Sequence, residues 1–302
     1  MVIVTGGLGF IGAHLVEYLY RQGQQDIVVV DREAYPVFRY FPSSYISRYL
    51  SVESFNEQIG DYKNADRIYH LGAISDTTER NEHKIQYYNT SFSKHLISFC
   101  INNHIPLTYA SSASVYGNTR NFKEDTRLSP ESLYARSKAM IDEYIEEQIR
   151  LNPAADIQSL RFFNVYGQYE DHKNGQASPV SKFIKEACQN KTIRIFEGSA
   201  SFFRDFICVD DVIAILIKLS LTDAKGIYNV GTGSAVSFLQ VAEYISARLN
   251  AEIEIIPFPD KLKKQYQPYT KADLTKISTF IKEHRFIRIE EYLGALLPTP
   301  VS

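Results

Sequence analysis

Two pairs of residues in this chain share the spacing Tyr-x-x-x-Lys: Tyr134 with Lys138, and Tyr169 with Lys173. On a helix, positions i and i+4 lie on one face, so the lysine can hold its charge near the phenol. A phenol with a pKa of about 10 is a poor base at neutral pH, and a nearby cation lowers that value. Such a pair can take the proton of an alcohol as the alcohol is oxidised. The contexts of the two pairs differ. Tyr134 and Lys138 fall within "SLYARSKAMIDEYIEEQIRLN", which reads as a helix. Ser112, at the end of the apolar run "LTYASS", lies upstream and can hydrogen-bond the same substrate oxygen. Tyr169 follows "NVYGQ" in what reads as a loop, where i and i+4 do not face each other. With 21 tyrosines in the chain the spacing also recurs by chance. Tyr134, Lys138 and Ser112 are therefore the expected catalytic group, and the residues alone leave Lys173 as a solvated loop lysine.

Oxidation of an alcohol needs a hydride acceptor, and the N-terminus offers a place for one. In "VIVTGGLGFIGAHL", Gly7, Gly9 and Gly12 match G-x-G-x-x-G between a strand and a helix, and Gly6 adds a further glycine. The first glycines allow a tight turn and let backbone N–H groups approach a pyrophosphate. Gly12 lets helix and strand pack closely, and the helix N-terminus adds positive dipole. Phe10 and Ile11 lie in the same turn. Asp31 ends the next apolar run, 19 residues beyond Gly12, where a carboxylate accepts a ribose hydroxyl. Asp31 favours NAD, whereas the adjacent Arg32 suits the 2′-phosphate of NADP, so the residues leave that choice open. "HLGAIS", with Leu71, Gly72, Ala73 and Ser75, ends another strand and is expected along the pyrophosphate and nicotinamide ribose. Asn89 in "YYNT" is a weaker candidate for cofactor contact, since a lone Asn is usually a cap or turn residue.

These residues need a scaffold, and the chain supplies alternating strand and helix patterns. "VIVTG", "DIVVVD", "RIYHLGA", "LTYASS" and "DIQSLRFFNVYG" are apolar runs separated by amphipathic stretches. Continuous apolar runs suit parallel strands covered on both faces. The expected fold is α/β, a Rossmann doubly wound parallel sheet. Residues 1–168 are assigned to this dinucleotide-binding domain, and 169–302 mainly to a smaller C-terminal α/β substrate region. A segment near 204–232 is expected to return to the main domain.

The 302 residues are 44% hydrophobic and 23% charged, with a net charge of -2. Such a balance marks a globular chain and gives no reason to expect nucleic acid or an anionic membrane as partner. No apolar run approaches the roughly 18 residues of a membrane span, and Met1 leads straight into a strand without a signal peptide. Cys100, Cys188 and Cys208 are far apart in apolar surroundings and read as reduced core residues of a cytoplasmic protein. The seven histidines show no ligand spacing, so no metal is expected.

"TGGLGFIG", "SSASVYG", "YARSK" and "RFFNVYG" together resemble the extended short-chain dehydrogenases/reductases that act on nucleotide sugars. "SDTTE", "RFFNVYGQYEDHKNGQAS", "IFEGSASFFRDFICVDDV" and "IPFPDKLKKQYQPYTKADL" resemble a narrower group, the ADP-glycero-manno-heptose 6-epimerases of lipopolysaccharide inner-core synthesis. The resemblance covers nearly the whole chain. It implies an isomerase that oxidises carbon 6 of the heptose with tightly held NADP and returns hydride to the other face of the ketone. It implies a second acid/base at Lys173, opposite Tyr134, because inversion needs proton chemistry on both faces of one carbon. It also implies substrate contacts from Asn164, Phe196, Glu197, Gly198, Ser199, Arg204 and Tyr266, and a homo-oligomer, pentamer-like in the family. An arginine at 204 suits bidentate binding of a diphosphate. The chain departs from the group at Gln168, where a proline is usual, and after "HK", where "NGQAS" stands. It departs also at Lys182, in place of a substrate-facing histidine, and around Arg48, where an acidic residue often reads the adenine.

Other readings compete. A 4,6-dehydratase needs an acid and a base where this chain has Ala113 and Ser114. A 4-epimerase needs only Tyr134 and Ser112 and leaves Lys173 without a role. A plain reductase would release its cofactor each cycle. A non-catalytic NADP-binding module would usually lack one of the serine, tyrosine and lysine, all of which are present.

Overall fold

A computed structural model describes residues 1–32, 38–259 and 267–296. The elements in chain order begin with β1 (Val2–Thr5), α1 (Phe10–Arg21), β2 (Ile27–Asp31), β3 (Arg48–Ser51), α2 (Val52–Glu57) and β4 (Arg67–His70). They continue with α3 (Glu82–Ile85), α4 (Phe92–Asn102), β5 (Leu107–Ser112), α5 (Leu133–Leu151), β6 (Ile157–Phe162), β7 (Asn164–Tyr166), α6 (Pro179–Asn190) and β8 (Thr192–Phe196). Then follow β9 (Phe203–Arg204), β10 (Phe206–Cys208), α7 (Val209–Ser220), β11 (Gly226–Val230), β12 (Val236–Ser237), α8 (Phe238–Leu249), β13 (Glu252–Ile256) and a last helix, α9 (Ile289–Leu296). Among the described residues no helix is long and apolar enough to cross a membrane.

Seven strands form one sheet in the order β11-β6-β5-β4-β1-β2-β3, and every neighbouring pair is parallel. The fold is therefore the expected doubly wound α/β sheet. Apolar side chains cover both faces. One face carries Leu15, Val16, Val29, Leu160, Ile215 and Leu216, from strands and from α1 and α7. The other carries Ile3, Val28, Ile68, Leu96, Leu107 and Ile141, from strands and from α4 and α5. Burial on both faces is the reason the central strands read as unbroken apolar runs. β3 escaped the sequence reading because it is a short edge strand with a polar start, Arg48, and no fully buried residue.

Helix α7 and strand β11, within the segment near 204–232, belong to the main body. β11 pairs with β6 from Gly226↔Gln158 to Val230↔Phe162, and α7 packs against α1. A second lobe has its own core of Val180, Phe183, Ile193, Val241, Ile245 and Leu293. It holds the parallel pair β8–β13 flanked by α6, α8 and α9. Cys100 and Cys208 are buried as expected, but Cys188 is exposed. Position 188 falls near the end of α6, whose buried residues are Val180, Phe183 and Ala187, so its neighbour in sequence faces inward while the cysteine faces out.

Candidate active site

All strands of a parallel sheet end on one edge, and there the glycine-rich turn, Ser112 and Asn164 meet. Thr5 is register partner of His70, and Ser112 of Phe162. Beyond Thr5 the chain turns at Gly6, with φ 71°. A Cβ on Gly6 would lie 2.6 Å from the backbone of Gly72, and one on Gly12 would lie 2.0 Å from the Gly6 carbonyl oxygen. No other residue fits either place. The N-cap of α1 is Gly9, with no side-chain cap bond, so the first backbone N–H groups of the helix remain available to an anion. The Asp31 carboxylate accepts the Leu8 N–H at 3.0 Å and the Arg32 N–H at 2.9 Å, which fixes its orientation. Asp31 and Arg32 line a cleft of about 330 Å³ with Gly6, Val52, Gly72, Ala73 and Tyr88. Cradle, free helix end and carboxylate fit a nicotinamide dinucleotide with its adenosine in this cleft. Leu71 is half-buried and Ser75 is exposed, alongside Gly72 and Ala73.

His70 and Asn89 are fully buried and bonded within the protein. His70 is fully buried, with Nδ1 2.6 Å from Thr5 Oγ1 and Nε2 2.7 Å from Ser93 Oγ. Thr5 also accepts the Gly72 N–H, and Ser93 donates to the Asn89 carbonyl. The hydroxyls thus give Nδ1 a donor and Nε2 an acceptor, the pattern of a neutral ring protonated on Nε2. Burial, helped by the Lys138 charge, pushes the His70 pKa down to about 3. Asn89 lies in a π-helical turn, Gln86–Ser91, and is fully buried. Its amide oxygen accepts the Ile74 N–H at 2.7 Å. Its NH2 donates to the Ile74 carbonyl and to Ser137 Oγ, each at 3.0 Å. The wide π turn aims Asn89 inward, where it ties the loop after β4 to α5.

Ser112, Tyr134 and Lys138 lie close together at the end of β5 and the start of α5. Ser132 caps α5, accepting the Ala135 N–H at 3.1 Å. Tyr134 therefore sits in the first turn, where the helix dipole favours a negative phenolate. Its hydroxyl lies near Ser112, whose side chain favours the phenolate, and Ser112 Oγ accepts the Ser114 N–H at 3.2 Å. Lys138, 2% exposed, donates to the Ala110 carbonyl at 2.6 Å. Its ammonium lies 4.5 Å from the centre of the Tyr109 ring and 5.9 Å from that of Tyr134. The expected lowering of the tyrosine pKa is not what the protein alone shows. Burial pushes Tyr134 up, and the nearby Ser112 hydroxyl only opposes this. Burial also pushes Lys138 down to about 7, with Asp142 the counteracting charge. Both groups lose hydration, and the cation that should help the phenol is itself destabilised.

Asp142 was missed by the sequence reading. It is fully buried and accepts from Ser111 Oγ at 3.0 Å, Ser159 Oγ at 2.6 Å and Arg161 Nε at 2.8 Å. Arg161 continues through Tyr116 Oη to Asn229 of β11. The signal was available: Asp142 stands four residues after Lys138, one turn farther along the same helix face.

Lys173 comes from the other side of the cleft. It lies in a 3-10 turn, Asp171–Gln176, and its ammonium sits 4.9 Å from the centre of the Phe10 ring. It pairs with Glu170 at 3.1 Å. Glu170 is 3% exposed and also accepts from Gly167 N, Ser178 N, Ser178 Oγ and Ser181 Oγ. The Phe10 ring thus holds the second lobe, while the backbone of Phe10 starts α1. Tyr169 turns away: its hydroxyl donates to Glu17 at 3.1 Å, so Tyr169 and Lys173 do not act as a pair. Lys182 is exposed on the first turn of α6; partial desolvation lowers its pKa, Glu170 opposes this and Lys173 adds to it.

Asn164 is half-buried, accepts from Thr270 Oγ1 at 3.3 Å, and donates its N–H to the Asp205 carbonyl at 3.0 Å. Arg204 is 8% exposed, donates to the Phe203 carbonyl at 2.9 Å and lies over the Phe238 ring. Phe196 packs edge-on against Phe258, 5.4 Å away. Glu197 and Gly198 are exposed, and Ser199 is buried. These positions gather at the end of β8 and along β9, in the second lobe. Tyr266 lies outside the described residues.

Residues 2–231 match the NAD dependent epimerase/dehydratase family. Among solved structures, the Helicobacter pylori ADP-L-glycero-D-manno-heptose-6-epimerase is similar, with TM-score 0.84 and 24% identity over 97% of this chain and 94% of that one. The Methanobrevibacter ruminantium UDP-N-acetylglucosamine 4-epimerase has TM-score 0.85 and 24% identity, over 97% and 96%. The Bacillus anthracis dTDP-glucose 4,6-dehydratase, solved in complex with NAD, has TM-score 0.81 and 20% identity, over 97% and 94%. At such identities the likenesses establish the fold. The family match spans most of the chain and agrees with the cradle and the Ser112–Tyr134–Lys138 group: the chain belongs to the NAD-dependent epimerase/dehydratase family, whose members use a nicotinamide cofactor on nucleotide sugars.

Proposed function

We propose that the protein is an epimerase inverting carbon 6 of the heptose in ADP-D-glycero-β-D-manno-heptose, through a transient 6-keto sugar and with NADP held throughout. The observation that carries this reading is the approach of Lys173 to Phe10 of the glycine-rich turn, at 4.9 Å from the ring. A second proton-carrying side chain thereby comes from the second lobe toward the site that Tyr134 serves from the first. The cofactor supplies hydride acceptance and return. Tyr134 Oη takes the proton of the sugar hydroxyl, Ser112 Oγ holds the same oxygen, and Lys138 fixes the tyrosine from below. Lys173 exchanges the proton when the ketone has presented its other face. Arg204, in the second lobe, is suited to the diphosphate, and Arg32 to a 2′-phosphate. Ala113 is buried in an apolar cluster and carries no acid for a dehydration.

One observation favours a second reading. Lys173 is ion-paired with Glu170, and a 4-epimerase, whose keto sugar turns over in the pocket, needs only Tyr134 and Ser112. A proton NMR time course with ADP-D-glycero-β-D-manno-heptose and no added cofactor separates the two. Appearance of the 6-epimer is expected. Inactivity there, with inversion at carbon 4 of a UDP- or GDP-hexose, would replace the first reading by the second. Silence on all of these, with cofactor bound, would leave a binding module.

A further inference from the structure

An aromatic cluster joins two segments that are far apart in the chain and next to the cofactor cradle. Tyr40, between β2 and β3, stacks on Tyr169 with ring centroids 4.6 Å apart and planes 20° apart. Its hydroxyl is 2.6 Å from His172 Nδ1. Tyr169 also meets the His14 ring of α1 at 4.5 Å, and His14 meets Phe10 edge-on at 5.6 Å. The Tyr169 hydroxyl reaches Glu17, one turn farther along α1. Tyr169 makes these contacts from φ 68°, the left-handed region that a bulky side chain rarely adopts. Such a conformation persists only where the surroundings over-determine it, and it gathers at ligand clamps.

Position gives the cluster its meaning. Tyr169 precedes the turn that carries Lys173 and His172 lies in it, and the Lys173 ammonium of that turn lies over the Phe10 ring. A Cβ on Gly167, at the start of the turn, would come within 3.4 Å of the Phe10 ring. The Phe10 side chain at the start of α1 is thus covered by this turn, and the turn is fastened at Tyr40. We propose that Tyr40 and Tyr169 are positioning residues that clasp the Lys173 turn onto α1, holding Lys173 in place and slowing departure of the nicotinamide cofactor. The part concerning Lys173 rests on the function proposed above; the part concerning cofactor release rests only on the family.

The test measures release directly. Full-length wild type, Tyr40→Ala and Tyr40→Phe are loaded with NADPH, and nicotinamide fluorescence is followed after excess NADP+ is added. Loss of the stack and of the His172 bond in Tyr40→Ala is expected to speed release about tenfold. Tyr40→Phe keeps the ring and loses the bond, so about threefold is expected. The melting temperature of each cofactor-free variant is read alongside. Release at the wild-type rate from a folded Tyr40→Ala overturns the clasp. If Tyr40→Ala does not fold, Tyr40→Phe and Tyr169→Phe decide, and wild-type rates in both overturn it. A wild type that sheds cofactor within one turnover would defeat the proposed epimerase, yet the ratio between variants would still judge the clasp.

Discussion

The two sides of the cleft are built differently. The Ser112–Tyr134–Lys138 side rests on the end of a central strand and the first turns of a 19-residue helix. Lys138 is buried and donates to a backbone carbonyl, Ser112 accepts a backbone N–H, and Tyr134 sits half-buried between them, with little compensating charge. The Lys173 side is a 3-10 turn, partly open to solvent, with its lysine already ion-paired and its neighbours clamped by rings. A helix on a sheet fixes atoms through many shared contacts, whereas a turn is fixed by a few, which can let go. The first side suits a base that must keep one geometry through every turnover. The second suits a group that comes and goes with the sugar.

The largest effect is expected on the rigid side. Tyr134→Phe should lower turnover by roughly 10²–10⁴-fold, and substrate should no longer reduce the bound cofactor in a single-turnover absorbance trace. Persistent reduction would remove Tyr134 from the first proton transfer and erase the distinction between the sides.

Lys173→Met sharpens the comparison, because it should split the reaction. Epimerisation followed by NMR is expected to fall about 10²-fold, while reduction of cofactor by substrate survives with Tyr134 intact. Equal loss of both steps would mean that the two sides work as one unit.

The smallest effect concerns stability. Lys138 has a folded-state pKa of about 7 against 10.5 when unfolded. The unfolded chain therefore binds a proton that the native protein gives up between those values, and stability rises with pH across that window. Below pH 7 the native protein carries the full cost of a buried ammonium. Lys138→Met should then be more stable than wild type by roughly 1–3 kcal/mol at pH 6, with the gain fading toward pH 10. Denaturant titrations at both pH values measure it. A variant less stable at pH 6 would show that the Ala110 hydrogen bond outweighs the burial.

What the sequence disclosed follows the same division. The sheet, the glycine cradle and the Tyr134–Lys138 pair were legible because burial on both faces, backbone contact and helical spacing each leave a local signature. The bonds of Asn89 to Ile74 and Ser137 were not legible, since a π turn shifts which way a residue points without marking the sequence. The depressed Lys138 was not legible either, because it depends on Tyr109, Ala110 and Asp142, brought together by packing. Tyr40 and Tyr169 are more than a hundred residues apart, and no periodicity links them. The sequence suggested Lys173 only by resemblance, and its contact with Phe10 came from packing that no local pattern marks.

The placement of β11 bears on how the chain is made. β6 is buried along its whole length, yet its outer partner, Gly226–Val230, follows it by more than sixty residues. While a ribosome is still adding the second lobe, β6 presents an unpaired apolar edge to whatever is near. A gene cut at residue 168, after β7, would make that interval permanent. The excised half would then meet its own copies edge to edge, and precipitation rather than a soluble cofactor-binding fragment is the expected product.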